Sequence, residues 1–146
     1  MQHPFVFNPG QWLGEGIIEF SFSPEKLRYY IDWGFIEEED DVICSIQRIE
    51  VEGGAEHVIN TLRFYNKTSD TFLLSLENSV VEKAEGNGVI DDKTVAWEFR
   101  DNPMGIEGYD IYKLQDDGTY AMKAEYLSPD KMRTMITGSI WKKTSS

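Results

Sequence analysis

The feature that most restricts the fold of this chain is a repeated switch between short alternating runs and clusters of turn-forming residues. Runs that read as strands fall at roughly 12–22, 28–36, 42–51, 56–65, 71–77, 80–90, 93–100, 106–114, 118–127 and 133–142. Between them stand Ser23-Pro24-Glu25-Lys26, Glu37 to Asp41, Glu52-Gly53-Gly54, Asn66 to Asp70 and Glu77-Asn78-Ser79. Asp91-Asp92, Asp101-Asn102-Pro103, Asp116-Asp117-Gly118 and Ser128-Pro129-Asp130 complete the punctuation. Gly reaches positive φ without strain, Pro presets φ, and Asn, Asp and Ser bond back to their own backbone, so each favours a turn for a physical reason. Within the runs the apolar residues alternate: Trp12, Gly14, Gly16, Ile18, Phe20 and Phe22 share one face, as do Tyr29, Ile31, Trp33 and Phe35. Val95, Trp97 and Phe99 repeat the pattern, and so do Tyr120, Met122, Ala124 and Tyr126. One apolar and one wet face is the mark of antiparallel strands with a solvated outside. The third run changes phase between Ile46 and Ile49, which predicts a bulge near Gln47-Arg48. Helix is nearly absent from this pattern; Pro24-Glu25-Lys26-Leu27 offers one turn at most.

Short connections imply a meander in which consecutive strands pair as hairpins. A long open meander leaves two edges that invite aggregation, and closing the sheet removes both. An immunoglobulin-like sandwich needs longer crossing connections, which the spacing does not provide. The expected fold is therefore all-β: a single closed antiparallel up-and-down barrel of about 8–10 strands, whose interior side chains fill or which holds one small ligand. The whole chain, 1–146, reads as one domain, with 1–11 as an N-terminal cap segment.

Charge and composition narrow the partners. Twenty-six acidic residues against fourteen basic ones leave a net charge of −12, which repels phosphate backbones and anionic lipid. The densest basic pair is Lys142-Lys143, so no nucleic acid is expected as a partner. No apolar run approaches the roughly 20 residues of a membrane span, and Met1-Gln2-His3-Pro4-Phe5 has no basic start, so the expected location is cytoplasmic. Cys44, the one cysteine, lies in an apolar run and reads as a buried, inert thiol.

Few residues suit chemistry. Two histidines and one cysteine are too few for a zinc site, and Glu37 to Asp41 lacks the spaced ligands of a calcium loop, so no metal is expected. His57, between Glu56 and Val58, reads as a surface imidazole rather than a catalytic base. The glycines lie in strands and turns rather than before helices, which excludes a phosphate cradle. Asp32 and Asp110 read as ordinary outward carboxylates; an inward one needs a partner and carries a shifted pKa. What remains is the barrel interior. Trp33, Asn60, Trp97, Tyr112, Met122 and Tyr126, with Arg48 beside the expected bulge, are the candidate ligand-binding residues, and Phe20 also points inward. Asn60, in phase with Val58, Leu62 and Phe64, needs hydrogen-bond partners inside.

Gly10-Gln11-Trp12 opens the first strand and continues as Leu13-Gly14-Glu15-Gly16. This Gly-x-Trp start resembles the lipocalin-like (calycin) barrels, and Gly-x-Trp-x-Gly-x-Gly is most similar to their nitrobindin-like branch. The resemblance implies an early Trp at the closed end beneath a basic side chain of the last strand, here Arg133 or Lys142. It does not extend to haem, because the family's late ligating His is missing: the histidines are His3 and His57. Nor does it extend to fatty-acid-binding proteins, since the turn from Ser23 to Lys26 has no room for a helical lid and Arg133-Thr134-Met135 lacks the clamp tyrosine. The expectation is a carrier or sensor for a small, largely apolar molecule, without cofactor or catalysis. Two alternatives are an interaction scaffold or homodimer using outward Leu73 and Ile111, and a small enzyme using an inward Asp/Tyr pair.

Overall fold

A computed structural model of the chain describes residues 3–54, 57–100, 103 and 105–144. Ten strands follow in order: β1 (Gly10–Phe20), β2 (Lys26–Glu37), β3 (Ile43–Val51), β4 (Val58–Tyr65) and β5 (Thr71–Glu77). The second half comprises β6 (Ala84–Ile90), β7 (Thr94–Phe99), β8 (Glu107–Leu114), β9 (Tyr120–Leu127) and β10 (Arg133–Lys142). A single 3-10 turn, Glu39–Asp41, joins β2 to β3, and there is no α-helix among the described residues.

Each strand pairs antiparallel with the next, and β10 returns to β1, so the sheet closes into one up-and-down barrel. The closing seam runs in continuous register from Trp12↔Lys142 to Phe20↔Thr134. Gly16 faces Gly138 across it. A Cβ on Gly138 would lie 2.2 Å from the Glu15 carbonyl oxygen and 2.4 Å from the Tyr29 hydroxyl. A Cβ on Gly16 would lie 2.0 Å from the Thr137 oxygen, and one on Gly14 would strike Ile140 Cγ2 at 2.5 Å. The two glycines after Trp12 thus let the seam close tightly and leave room for side chains lying across it.

Two local features differ from the sequence pattern. The expected bulge at Gln47-Arg48 is absent: β3 keeps unbroken register with β2 and β4. The apparent change of phase arises because Ile46, 48% exposed, is an apolar residue on the outer face while Ser45 and Gln47 are polar residues on the inner one. β6 begins at Ala84 rather than near 80, because the Asn78 side-chain oxygen accepts from the Val80 and Val81 N–H groups and holds a turn there. Lys142 is the cross-strand neighbour of Trp12, and the indole packs against Phe5 at 5.1 Å and Tyr120 at 5.8 Å.

The core is concentrated at one end. The segment before β1 folds into that end, with Phe5 and Val6 fully buried. Phe5 meets the rings of Trp12, Trp33, Phe35, Tyr112 and Tyr120 at 4.9–5.7 Å between centroids. Edge-on and tilted contacts of this kind add to the gain from burial alone. His3 ties the segment down. Its Nε2–H donates to the Asp91 carbonyl at 2.6 Å, which leaves Nδ1 to accept from the Tyr120 hydroxyl at 2.6 Å. One end of the barrel is plugged by aromatic packing; the other end holds the open space.

Candidate functional site

The open half of the barrel encloses a cavity of about 410 Å³. Its walls are mostly aliphatic and aromatic: Ile18, Phe20, Ile31, Ile49, Leu62 and Phe99 are representative. Volumes of about 300–1,000 Å³, apolar walls and a few placed polar groups are the usual form of a small-molecule site. The polar groups form two clusters on opposite walls, since β3 and β8 lie five places apart around the ring of ten strands.

The first cluster centres on Asp110. Its cross-strand neighbours, Trp97 on β7 and Ala124 on β9, share its inward face. The expectation that Asp110 faces outward is therefore overturned: it is 7% exposed and lies in phase with Tyr112. The Tyr112 hydroxyl donates to Oδ2 at 2.6 Å, and the Tyr126 hydroxyl donates to Oδ1. Gly108 makes the second bond possible, because a Cβ there would stand 2.3 Å from Tyr126 Cδ1 and push the ring away. Burial raises the Asp110 pKa to about 6, against the two phenol donors, which lower it. Burial and the neighbouring carboxylate push the hydroxyls of Tyr112 and Tyr126 upward, so both remain donors at any ordinary pH. Tyr29, also raised by burial and by Asp110, sets its hydroxyl 3.2 Å from Met122 Sδ and 3.3 Å from the Thr137 oxygen. Trp97 Nε1 is buried without a hydrogen-bond partner, although the indole lies close enough to the Tyr126 oxygen to favour its anion.

The second cluster is a chain of amides. Asn78 Nδ2 donates to Asn60 Oδ1 at 2.9 Å, and Asn60 Nδ2 donates to Gln47 Oε1 at 2.8 Å. Asn60 thereby finds the inward partners it requires. The chain ends at Gln47, whose own NH2 is left to donate into the cavity.

Of the candidate residues, Asn60, Trp97, Met122 and Tyr126 line the cavity. Trp33 and Tyr112 lie beneath it in the closed-end core, both fully buried; Tyr112 reaches the site only through Asp110. Arg48 is corrected outright. With no bulge to turn it inward, it lies on the outer face beside Asp32. Asp32 is exposed as expected and accepts from Gln11 Nε2. Tyr29, Gln47, Asn78, Asp110 and Thr134 are polar residues of the lining that the sequence pattern did not assign to the site.

The remaining chemistry-bearing residues lie elsewhere. His57 is exposed, with Nε2 3.2 Å from Glu50 Oε1. Cys44 is buried and its thiol pKa raised, chiefly by desolvation. No group of three or more His, Cys, Asp or Glu side chains suited to a metal ion occurs among the described residues. Leu73 and Ile111 do face outward, Leu73 at 38% exposure. The chain matches no known protein family, and no curated protein is significantly similar to it.

Proposed function

We propose that the protein is a lipocalin-like carrier or sensor that holds one small, largely apolar molecule inside the barrel. The observation that carries this reading is the 410 Å³ cavity: it is walled by apolar side chains, plugged at one end, and supplied with polar groups on two opposite walls. A purely structural barrel of this size can be filled by its own side chains, as the closed half is. The Gly-x-Trp-x-Gly-x-Gly start at residues 10–16 supports the lipocalin-like assignment, and the absence of a late His argues against haem as the occupant. Native mass spectrometry of the purified protein, with thermal shift against neutral lipids and aromatic metabolites, tests the carrier reading. A ligand at one hundred times its Kd stabilises by about 2.7 kcal/mol, which is roughly 5–10 °C in Tm for a chain of this size. A fully ligand-free mass together with no shift for any class would remove the reading.

A second reading, acid–base catalysis by Asp110 with Tyr126, is favoured by one observation: a carboxyl of pKa about 6 facing a pocket. It stands second because both phenol protons are directed to the Asp110 carboxylate. Among the described residues, Trp97 Nε1 is the one buried donor without a partner on that wall, short of the donor pair that a developing negative charge needs.

A further inference from the structure

The cavity wall carries one carboxyl group, Asp110. Among the described residues its lining includes no Lys, Arg or His, and Asp110 is its single acid. Both carboxylate oxygens accept a phenol proton, yet two neutral donors do not cancel a charge. A carboxyl of pKa about 6 is mostly ionised at neutral pH, so a buried negative charge faces an apolar chamber with no cation opposite. Around it stand the rings of Trp97, Tyr126, Phe99 and Tyr29. Aromatic faces attract a desolvated cation, and a carboxylate binds an ammonium by charge-assisted hydrogen bonds that are about twice as strong as neutral ones. At the far wall, Gln47 offers an amide donor to an acceptor at the ligand's other end.

We propose that the occupant is a lipophilic amine, whose ammonium group sits on Asp110 within the aromatic ring cluster while its apolar body fills the aliphatic part of the cavity. This rests on the carrier reading and specifies the ligand class for the same site. The charge is complementary at one point only, which separates amines from the neutral lipids and fatty acids that an apolar barrel otherwise admits. A fatty-acid carboxylate would meet Asp110 as a like charge.

The test uses three probes with one body: 4-phenylbutylamine, 4-phenylbutanol and 4-phenylbutyrate, each titrated by calorimetry at pH 7.5. A neutral fluorophore, N-phenyl-1-naphthylamine, reports whether the cavity accepts apolar molecules at all. The amine is expected to bind at least about tenfold tighter than the alcohol, and the carboxylate more weakly than either. Lowering the pH from 7.5 to 5 should weaken the amine about tenfold, as Asp110 takes up its proton, and leave the alcohol unchanged. The groups facing Asp110 are the phenols of Tyr112, Tyr126 and Tyr29 and the Trp97 indole, none of which titrates in that range. Asp110→Asn should abolish the preference for the amine while keeping fluorophore and alcohol binding. Equal affinity for amine and alcohol, a preference for the carboxylate, or no binding of the amine would each overturn the proposal. If the fluorophore still binds in those cases, the carrier reading survives; if it does not, that reading fails as well.

Discussion

Replacing Gly138 by valine is expected to destabilise the protein by at least about 3 kcal/mol, the upper range for overpacking, because the conflict is with backbone as well as with the Tyr29 side chain. The new Cβ would meet the Glu15 oxygen at 2.2 Å and Gly16 Cα at 2.9 Å across the seam between β1 and β10. Relief requires those strands to part, and parted strands expose two unpaired edges to other molecules. Urea denaturation should show the loss, and light scattering at elevated temperature should show aggregation that the wild type lacks. Ser139→Val is the control. Ser139 is the next residue along β10 and is paired with Glu15 on the outer face, so its replacement should change stability by less than about 1 kcal/mol. Equal effects of the two substitutions would mean that the seam is not closed as described.

Asp110→Asn is the second large effect, and its sign is opposite. The carboxyl has a pKa of about 6 in the folded protein against its ordinary 3.8, so the folded state holds this proton more tightly than the unfolded chain does. The contribution of the group is therefore intact below pH 3.8, falls as the pH rises toward 6, and is lower by a constant amount above that. A carboxyl raised this far makes the fold less stable at neutral pH by about 3 kcal/mol. Asparagine removes the charge but keeps an acceptor for one of the two phenols, which offsets about 1 kcal/mol of the gain. The variant should be more stable than wild type by about 2 kcal/mol at pH 8, a rise of roughly 4–8 °C in Tm, and no more stable at pH 4. A variant that is less stable at pH 8 than at pH 4, relative to wild type, would mean that the carboxylate is already neutralised by a cation. A buried charge retained at such a cost is best explained by use, because sites of function often keep groups that weaken the fold.

The architecture is legible in the sequence because a half-buried antiparallel strand writes its period into the chain. The alternations Val95-x-Trp97-x-Phe99 and Tyr120-x-Met122 are of the kind that places all ten strands and their turns, and short turns leave little choice but a closing meander. The site is legible in part. Trp97, Met122 and Tyr126 carry the same alternation and do line the cavity. Asp110 reads wrongly because acidic residues are seldom buried, a tendency that outweighs its phase with Gly108 and Tyr112. Phase is the better signal here: a glycine two residues before the acid makes the space for Tyr126 to reach it. On β3 the reverse error occurs. Exposed Ile46 and buried Gln47 invert the usual apolar-in rule, which suggests a bulge where none exists and turns Arg48 the wrong way. The plugging role of Phe5 has no periodic signature, since it depends on a segment folding back over an end that only the closed barrel creates.

The most direct test of the barrel interior as a binding site is a fluorescence titration of N-phenyl-1-naphthylamine into wild type and Ile49→Trp. Ile49 lines the cavity from β3, and an indole there occupies space the probe needs. Wild type should give a saturable one-to-one rise in emission, and the variant should lose it while retaining its Tm to within a few degrees. No saturable rise in wild type, or an undiminished rise in a folded Ile49→Trp, would show that the interior is not where small molecules bind.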